Sequence, residues 1–79
     1  MSDVYQNAAF FLIERHESVE LLDEENGNLV IHYLSNGKYA VSEWDEGCFD
    51  EQFNTVVDLT NAKNIIKRWF RNLDKLNSL

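Results

Sequence analysis

Between Ser42 and Phe53 the chain reads SEWDEGCFDEQF. Five carboxylates, Glu43, Asp45, Glu46, Asp50 and Glu51, fall in these twelve residues with no Lys or Arg among them. Trp44, Phe49 and Phe53 lie between them. Three kinds of chemistry would use such a stretch: a cation site, a solvated surface, or a face for a positively charged partner. Calcium needs six to eight oxygens in a fixed loop geometry. A twelve-residue calcium loop opened by Asp23 would place Leu34 where the closing Glu belongs, and one opened by Asp45 would place Asp50 at the obligatory Gly and Val56 at the Glu. Neither fits, and no metal site is expected.

Cys48, His16 and His32 are the remaining candidates for chemistry. A thiol nucleophile needs a base, an orienting group and an oxyanion donor pair, and nothing in the spacing supplies them. His32 stands among apolar neighbours and is expected to pack rather than react. One Cys and two His are also too few for a zinc site without a carboxylate. Only three glycines occur, and none forms a phosphate-cradling motif. No catalytic residue and no cofactor are expected, so the chain is read as non-enzymatic.

The charge distribution narrows the partner. The net charge is −7 over 79 residues. Residues 1–58 hold thirteen of the fourteen acids but only Arg15 and Lys38 as bases. Residues 59–79 hold Lys63, Lys67, Arg68, Arg71 and Lys75 against Asp74. Phosphate neutralisation drives nucleic-acid binding, so the acidic bulk argues against direct nucleic-acid contact. A basic protein would instead be attracted and steered. A second acidic cluster, Glu17, Glu20, Asp23, Glu24 and Glu25, precedes the first turn signal. With the aromatics as anchors, the two clusters could offer carboxylates to Arg and Lys of a partner. The competing reading of both clusters is a solvated surface that keeps the protein soluble.

These residues must be positioned by a small scaffold. The length fits one domain, residues 1–79, burying about 60% of its unfolded surface. A single cysteine allows no internal disulfide, in keeping with a reducing compartment. The first residues lack a signal peptide's basic start, and no apolar run is long enough to span a membrane. A cytoplasmic location without membrane contact is therefore expected.

A helix is expected near Asp3–Arg15, with Ser2 or Asp3 as cap and Gln6 completing a capping box. Val4, Ala8, Phe11 and Leu12 would form its buried stripe, widened by Tyr5, Ala9 and Ile13. The run AAFFLI also suits a buried strand. Residues 18–23, 28–34 and 38–44 read as strands. Asn26-Gly27 and Asn36-Gly37 separate them, and Asn-Gly supplies the positive φ of a type I′ hairpin turn. Both faces of the middle strand are apolar. One is expected to carry helices, and the other to be exposed or to form a dimer contact. Residues 45–55 show no clear period, and a short helical turn is expected around 50–54. Asp58 is a good N-cap, with Val57 and Ala62 spaced as a hydrophobic staple. Leu59, Ala62, Ile65, Ile66, Trp69, Phe70, Leu73 and Leu76 then form one stripe of an amphipathic helix. The expected architecture is α+β: a helix, a three-stranded antiparallel meander and a C-terminal helix (α-β-β-β-α).

The span LVIHYLSNGKYAVSEW, with the acidic and aromatic stretch after it, resembles small acidic phage-encoded inhibitors of bacterial defence, the anti-CRISPR proteins. The resemblance covers about Leu29–Phe53. It implies a helix, meander and helix plan, the host cytoplasm as location, and an acidic surface that imitates DNA. By position it assigns that role to Glu43, Asp45, Glu46, Asp50 and Glu51. The basic tail departs from the family pattern. The leading expectation is thus an inhibitor that occludes a basic, nucleic-acid-handling protein such as a nuclease or defence complex. The alternatives are an oligomerising or adaptor module, with Trp44 or Trp69 exposed at the contact, and an immunity protein against a nuclease toxin.

Overall fold

The structure is a computed structural model that describes residues 2–44 and 55–77. The order of elements is α1 (Ser2–Glu14), β1 (Val19–Asp23), β2 (Gly27–Ser35), β3 (Lys38–Trp44), β4 (Thr55–Asp58) and α2 (Leu59–Asn77). The strands form one antiparallel sheet in the order β1-β2-β3-β4. The α+β class is as expected, but the sheet has four strands rather than three. The added strand, TVVD, pairs Val57 with Tyr39 and Val56 with Ala40. It leads directly into α2, so the segment read as a staple before the helix is also an edge strand. The expected helical turn at 50–54 lies outside the described residues.

Alternation along the strands sorts side chains between two faces. Val19, Leu29, Ile31, Tyr39 and Val41 share one face and form the core with Ala9 and Ile13 of α1 and Ala62, Ile66, Trp69 and Phe70 of α2. Both helices therefore cover the same face of the sheet. On the opposite face Val30, Ala40 and Ser42 are buried, while Leu22, Leu34 and Val56 are exposed. The two-sided apolar character of β2 is thus real, but only part of its second face meets water.

The C-terminal helix follows its sequence signals closely. Asp58 caps it, its Oδ1 accepting the Asn61 N–H at 2.9 Å, which satisfies one orphan donor of the first turn. Its stripe is buried at Ala62, Ile66, Trp69 and Phe70 and half-buried at Leu59, Ile65, Leu73 and Leu76.

The N-terminal helix departs from expectation at its cap and over part of its stripe, while Ala9, Leu12 and Ile13 of that stripe do pack inward. Asp3 lies inside the first turn rather than before it. The buried residues are Ala9 and Ile13, with Phe10 and Leu12 packed beside them. Val4, Tyr5, Ala8 and Phe11, assigned to the buried stripe, face water instead. Because AAFFLI is apolar on every side, its pattern does not choose a face, and packing against α2 and β1 decides it.

The two hairpins also differ. Asn36 (φ 52°) and Gly37 (φ 73°) form a two-residue turn with both φ angles positive, as a type I′ turn requires. In the first hairpin only Gly27 (φ 83°) has positive φ, and three residues, 24–26, make the connection. There Asp23 supplies the local bonds: its Oδ2 accepts the Glu25 and Asn26 N–H groups at 3.0 and 2.7 Å. This Asx-type turn does the work expected of Asn-Gly.

Candidate functional site

The strand register decides where the acids lie. Asp23 pairs with Gly27, Asn28 with Trp44, and Leu29 with Glu43. The turn carrying Asp23, Glu24 and Glu25 therefore sits at the end of the sheet where the chain leaves β3. Asp45 and Glu46 follow Trp44 directly in the sequence. Asp45, Glu46, Phe49, Asp50 and Glu51, together with Cys48 and Phe53, lie outside the described residues, as does the side chain of Trp44.

The second cluster does not stay together. Asp23, Glu24 and Glu25 are gathered at the turn. Glu20 points to the opposite face of the sheet from Asp23, being an odd number of residues away along β1. Glu17 precedes β1 at its far end. The acidic end is thus built from Asp23, Glu24, Glu25 and Glu43.

Two contacts brace this end against α2. Asn26 Nδ2 donates to the Trp69 carbonyl at 2.8 Å, fastening the turn to the helix. Arg68 Nη2 donates to Glu43 Oε1 at 2.9 Å, and both side chains are about half exposed. An exposed pair of this kind adds about 0–1 kcal/mol and yields readily to salt. Beside the turn, Asp23, Glu24 and Glu25 line a cleft of about 300 Å³ with Leu73, Leu76 and Asn77. Carboxylates on one wall and two leucines on the other suit the aliphatic stem and cationic head of a Lys or Arg.

The histidines stand elsewhere. His16 occupies the left-handed region (φ 63°) just past α1. The Glu17 N–H reaches the Leu12 carbonyl at 2.9 Å and the His16 N–H reaches the Ile13 carbonyl at 3.1 Å. This is a Schellman cap with His where Gly is usual. The His16 ring stacks on Tyr33 with centroids 3.9 Å apart. His32 is exposed rather than packed as expected, and its Nδ1 lies 2.6 Å from Ser18 Oγ. Trp69, considered as an exposed contact residue, is instead in the core. Among the described residues, no group of three or more His, Cys, Asp or Glu could hold a metal ion.

Tyr39 has a displaced pKa. Burial raises it above the ordinary tyrosine value, Tyr33 and Glu14 push the same way, and Lys63 opposes them. Its hydroxyl donates to the Ile13 carbonyl at 2.5 Å, joining the sheet to the end of α1. Glu14 and Lys63, 2.5 Å apart, join α1 to α2 nearby. This group serves the fold and lies in the core, not at the acidic end.

No helix among the described residues is long and apolar enough to cross a membrane. No family model, curated protein or solved structure matches this chain.

Proposed function

We propose that this protein is a small, non-enzymatic inhibitor that binds a basic, nucleic-acid-handling protein and occludes the groove where nucleic acid would lie. The observation that carries this reading is the register. It sets Asp23, Glu24 and Glu25 at the end of the sheet where β3 delivers the acidic run beginning at Asp45. Carboxylates in that concentration offer Arg and Lys the charge-assisted hydrogen bonds they otherwise make with phosphates. The partner is a nuclease or defence complex, and inhibition is steric and electrostatic. Steering by the net charge of −7 makes association fast and salt-sensitive.

The test starts with capture of partners from the native host's lysate at low and high salt. The captured protein is then assayed for nucleic-acid binding with and without this chain. Duplex DNA or RNA should compete with the chain for it. Reversing Asp45, Glu46, Asp50 and Glu51 to Lys should abolish inhibition, and reversing Asp23, Glu24 and Glu25 should weaken it. Full inhibition by the four-fold reversal, or binding indifferent to nucleic acid, would sink the proposal.

A further inference from the structure

Asn-Gly occurs at Asn26-Gly27 and at Asn36-Gly37, once in each hairpin. The pair is chemically labile as well as a turn signal. Glycine carries no Cβ, so its backbone nitrogen can reach the carboxamide carbon of the asparagine before it. The intrinsic chemistry of the two pairs is the same. A difference between them in the folded protein comes from what holds each one.

Asn26 is firmly held. Its Nδ2 donates to the Trp69 carbonyl at 2.8 Å, and its backbone N–H donates to Asp23 Oδ2 at 2.7 Å. Gly27, whose nitrogen would attack, is buried. Asn36 and Gly37 are both exposed. The Asn36 carboxamide has no hydrogen-bond partner among the described residues. Apart from its chain neighbours, nothing lies within 4 Å of where a Cβ would stand on Gly37, so the turn is open on that side. The Gly37 N–H donates to Tyr33 Oη at 3.2 Å, in an exposed contact.

We propose that Asn36 is a site of spontaneous deamidation and isomerisation, and that the clasp on Trp69 protects Asn26 from the same reaction. The Gly37 nitrogen gives its proton to hydroxide from solvent and bonds to Asn36 Cγ. The Cγ–Nδ2 bond breaks, ammonia leaves with a proton from water, and a five-membered succinimide joins the two residues. Water then opens the ring at either carbonyl. Opening at Cγ leaves aspartate at position 36. Opening at the backbone carbonyl leaves isoaspartate, with Cβ now in the main chain. Ring closure requires rotation about the Asn36 Cα–C bond, so the turn must first open locally. An exposed hairpin tip opens at small cost, because few contacts are lost with it. Opening at Asn26 must also break both of its hydrogen bonds and uncover Gly27. Aspartate keeps the turn, since Asp tolerates the left-handed region much as Asn does. Isoaspartate adds a main-chain atom to the two-residue turn that joins Ser35 to Lys38, and so loosens the β2–β3 pair. This inference does not rest on the partner-binding reading, because Asn36 lies at the opposite end of β2 from Asp23, Glu24 and Glu25.

The full chain is incubated in mildly alkaline buffer without denaturant and, in parallel, in urea concentrated enough to unfold it. Peptide mapping by mass spectrometry follows amide-to-acid conversion at each asparagine, and fragmentation separates isoaspartate from aspartate. In the native chain Asn36 should convert at least about tenfold faster than Asn26, since two further hydrogen bonds must break at Asn26. In urea the ratio should fall to within about threefold, because neither pair is then held by the fold. The fraction carrying isoaspartate at position 36 should unfold at lower urea than the parent, while Asn36→Asp should stay close to it. Equal rates at the two sites in the native chain, or a faster Asn26, would overturn the inference. So would an Asn36 that converts only in urea, or an isoaspartate form as stable as the parent.

Discussion

His16 lies flat on Tyr33, with ring centroids 3.9 Å apart and planes 4° from parallel. The same residue closes α1 in a left-handed conformation. The stack and the strain therefore meet in one side chain. A left-handed non-glycine residue costs about 1–2 kcal/mol, and an aromatic pair returns about 0.5–1.5 kcal/mol. His16→Gly should relieve the first and lose the second, leaving stability within about 1 kcal/mol of the parent. His16→Ala loses the stack and keeps the strain, so it should be less stable than His16→Gly by about 1 kcal/mol. Urea unfolding of the three proteins checks the order. If the Ala variant equals or exceeds the Gly variant, the cap is not strained as described.

Alkaline stability should depend on Tyr39. Its pKa is raised in the folded state, chiefly by burial. As pH rises, the unfolded chain gives up this proton first, near the ordinary value of about 10. From there the unfolded state binds fewer protons than the native state, so stability falls with pH. The contribution is full below the unfolded pKa and is lost above it. Tyr39→Phe should remove this part of the alkaline decline. It should also cost about 1 kcal/mol at neutral pH, from the lost bond to the Ile13 carbonyl. Unfolding of both proteins at neutral and at alkaline pH would show the curves converging. Parallel curves would contradict the argument.

The sequence reveals those elements whose local and tertiary preferences agree. The second helix is legible because Asp58 caps it and one stripe, Leu59 to Leu76, carries all its apolar residues. The Asn36-Gly37 turn is legible because only positive φ suits both of its central positions. The strand Thr55–Asp58 is not, since four residues before a helix cap give too short an alternation to separate from a staple. The face of α1 is hidden because AAFFLI would serve in any orientation. The cap at His16 is hidden because its signal is a missing glycine and a distant Tyr33. Of the acidic site, alternation shows that Glu20 leaves Asp23, Glu24 and Glu25, while the meander alone suggests that their turn and the end of β3 share one edge.

Ser42 is fully buried on the face of the sheet away from the helices, opposite Val30. Its hydroxyl has no hydrogen-bond partner among the described residues. A buried hydroxyl without a partner forfeits its hydration for no return. Ser42→Ala should therefore be neutral or stabilising, by up to about 1 kcal/mol. Ser42→Val should fare worse, because a close-packed site resists added volume. Thermal unfolding of both variants decides it. A clear loss on Ser42→Ala would mean that the hydroxyl is bonded.

Asn26 is the clasp between the acidic turn and the second helix. Its side-chain N–H reaches the Trp69 carbonyl at 2.8 Å, while its backbone N–H is held by Asp23. Asn26→Ala removes the clasp but leaves the helix's own bonding in place, so its cost should be about 0.5–1.5 kcal/mol. Asn26→Asp keeps the shape and replaces the donor with a carboxylate facing a carbonyl oxygen. Two acceptors then oppose each other, and the new carboxyl should have a raised pKa in the folded state. It should ionise in the unfolded chain first, so the variant should lose stability as pH rises above about 3.9 and recover relative to the parent as pH falls. At neutral pH Asn26→Asp should be the less stable of the two. Urea midpoints at neutral and mildly acidic pH, each against the parent at the same pH, check both statements. The same clasp fixes Asp23, Glu24 and Glu25 beside Leu73 and Leu76. Asn26→Ala should therefore also weaken capture of a basic partner, by less than reversal of the three acids does. An Asn26→Ala chain that binds its partner as tightly as the parent would show that the turn works without being held.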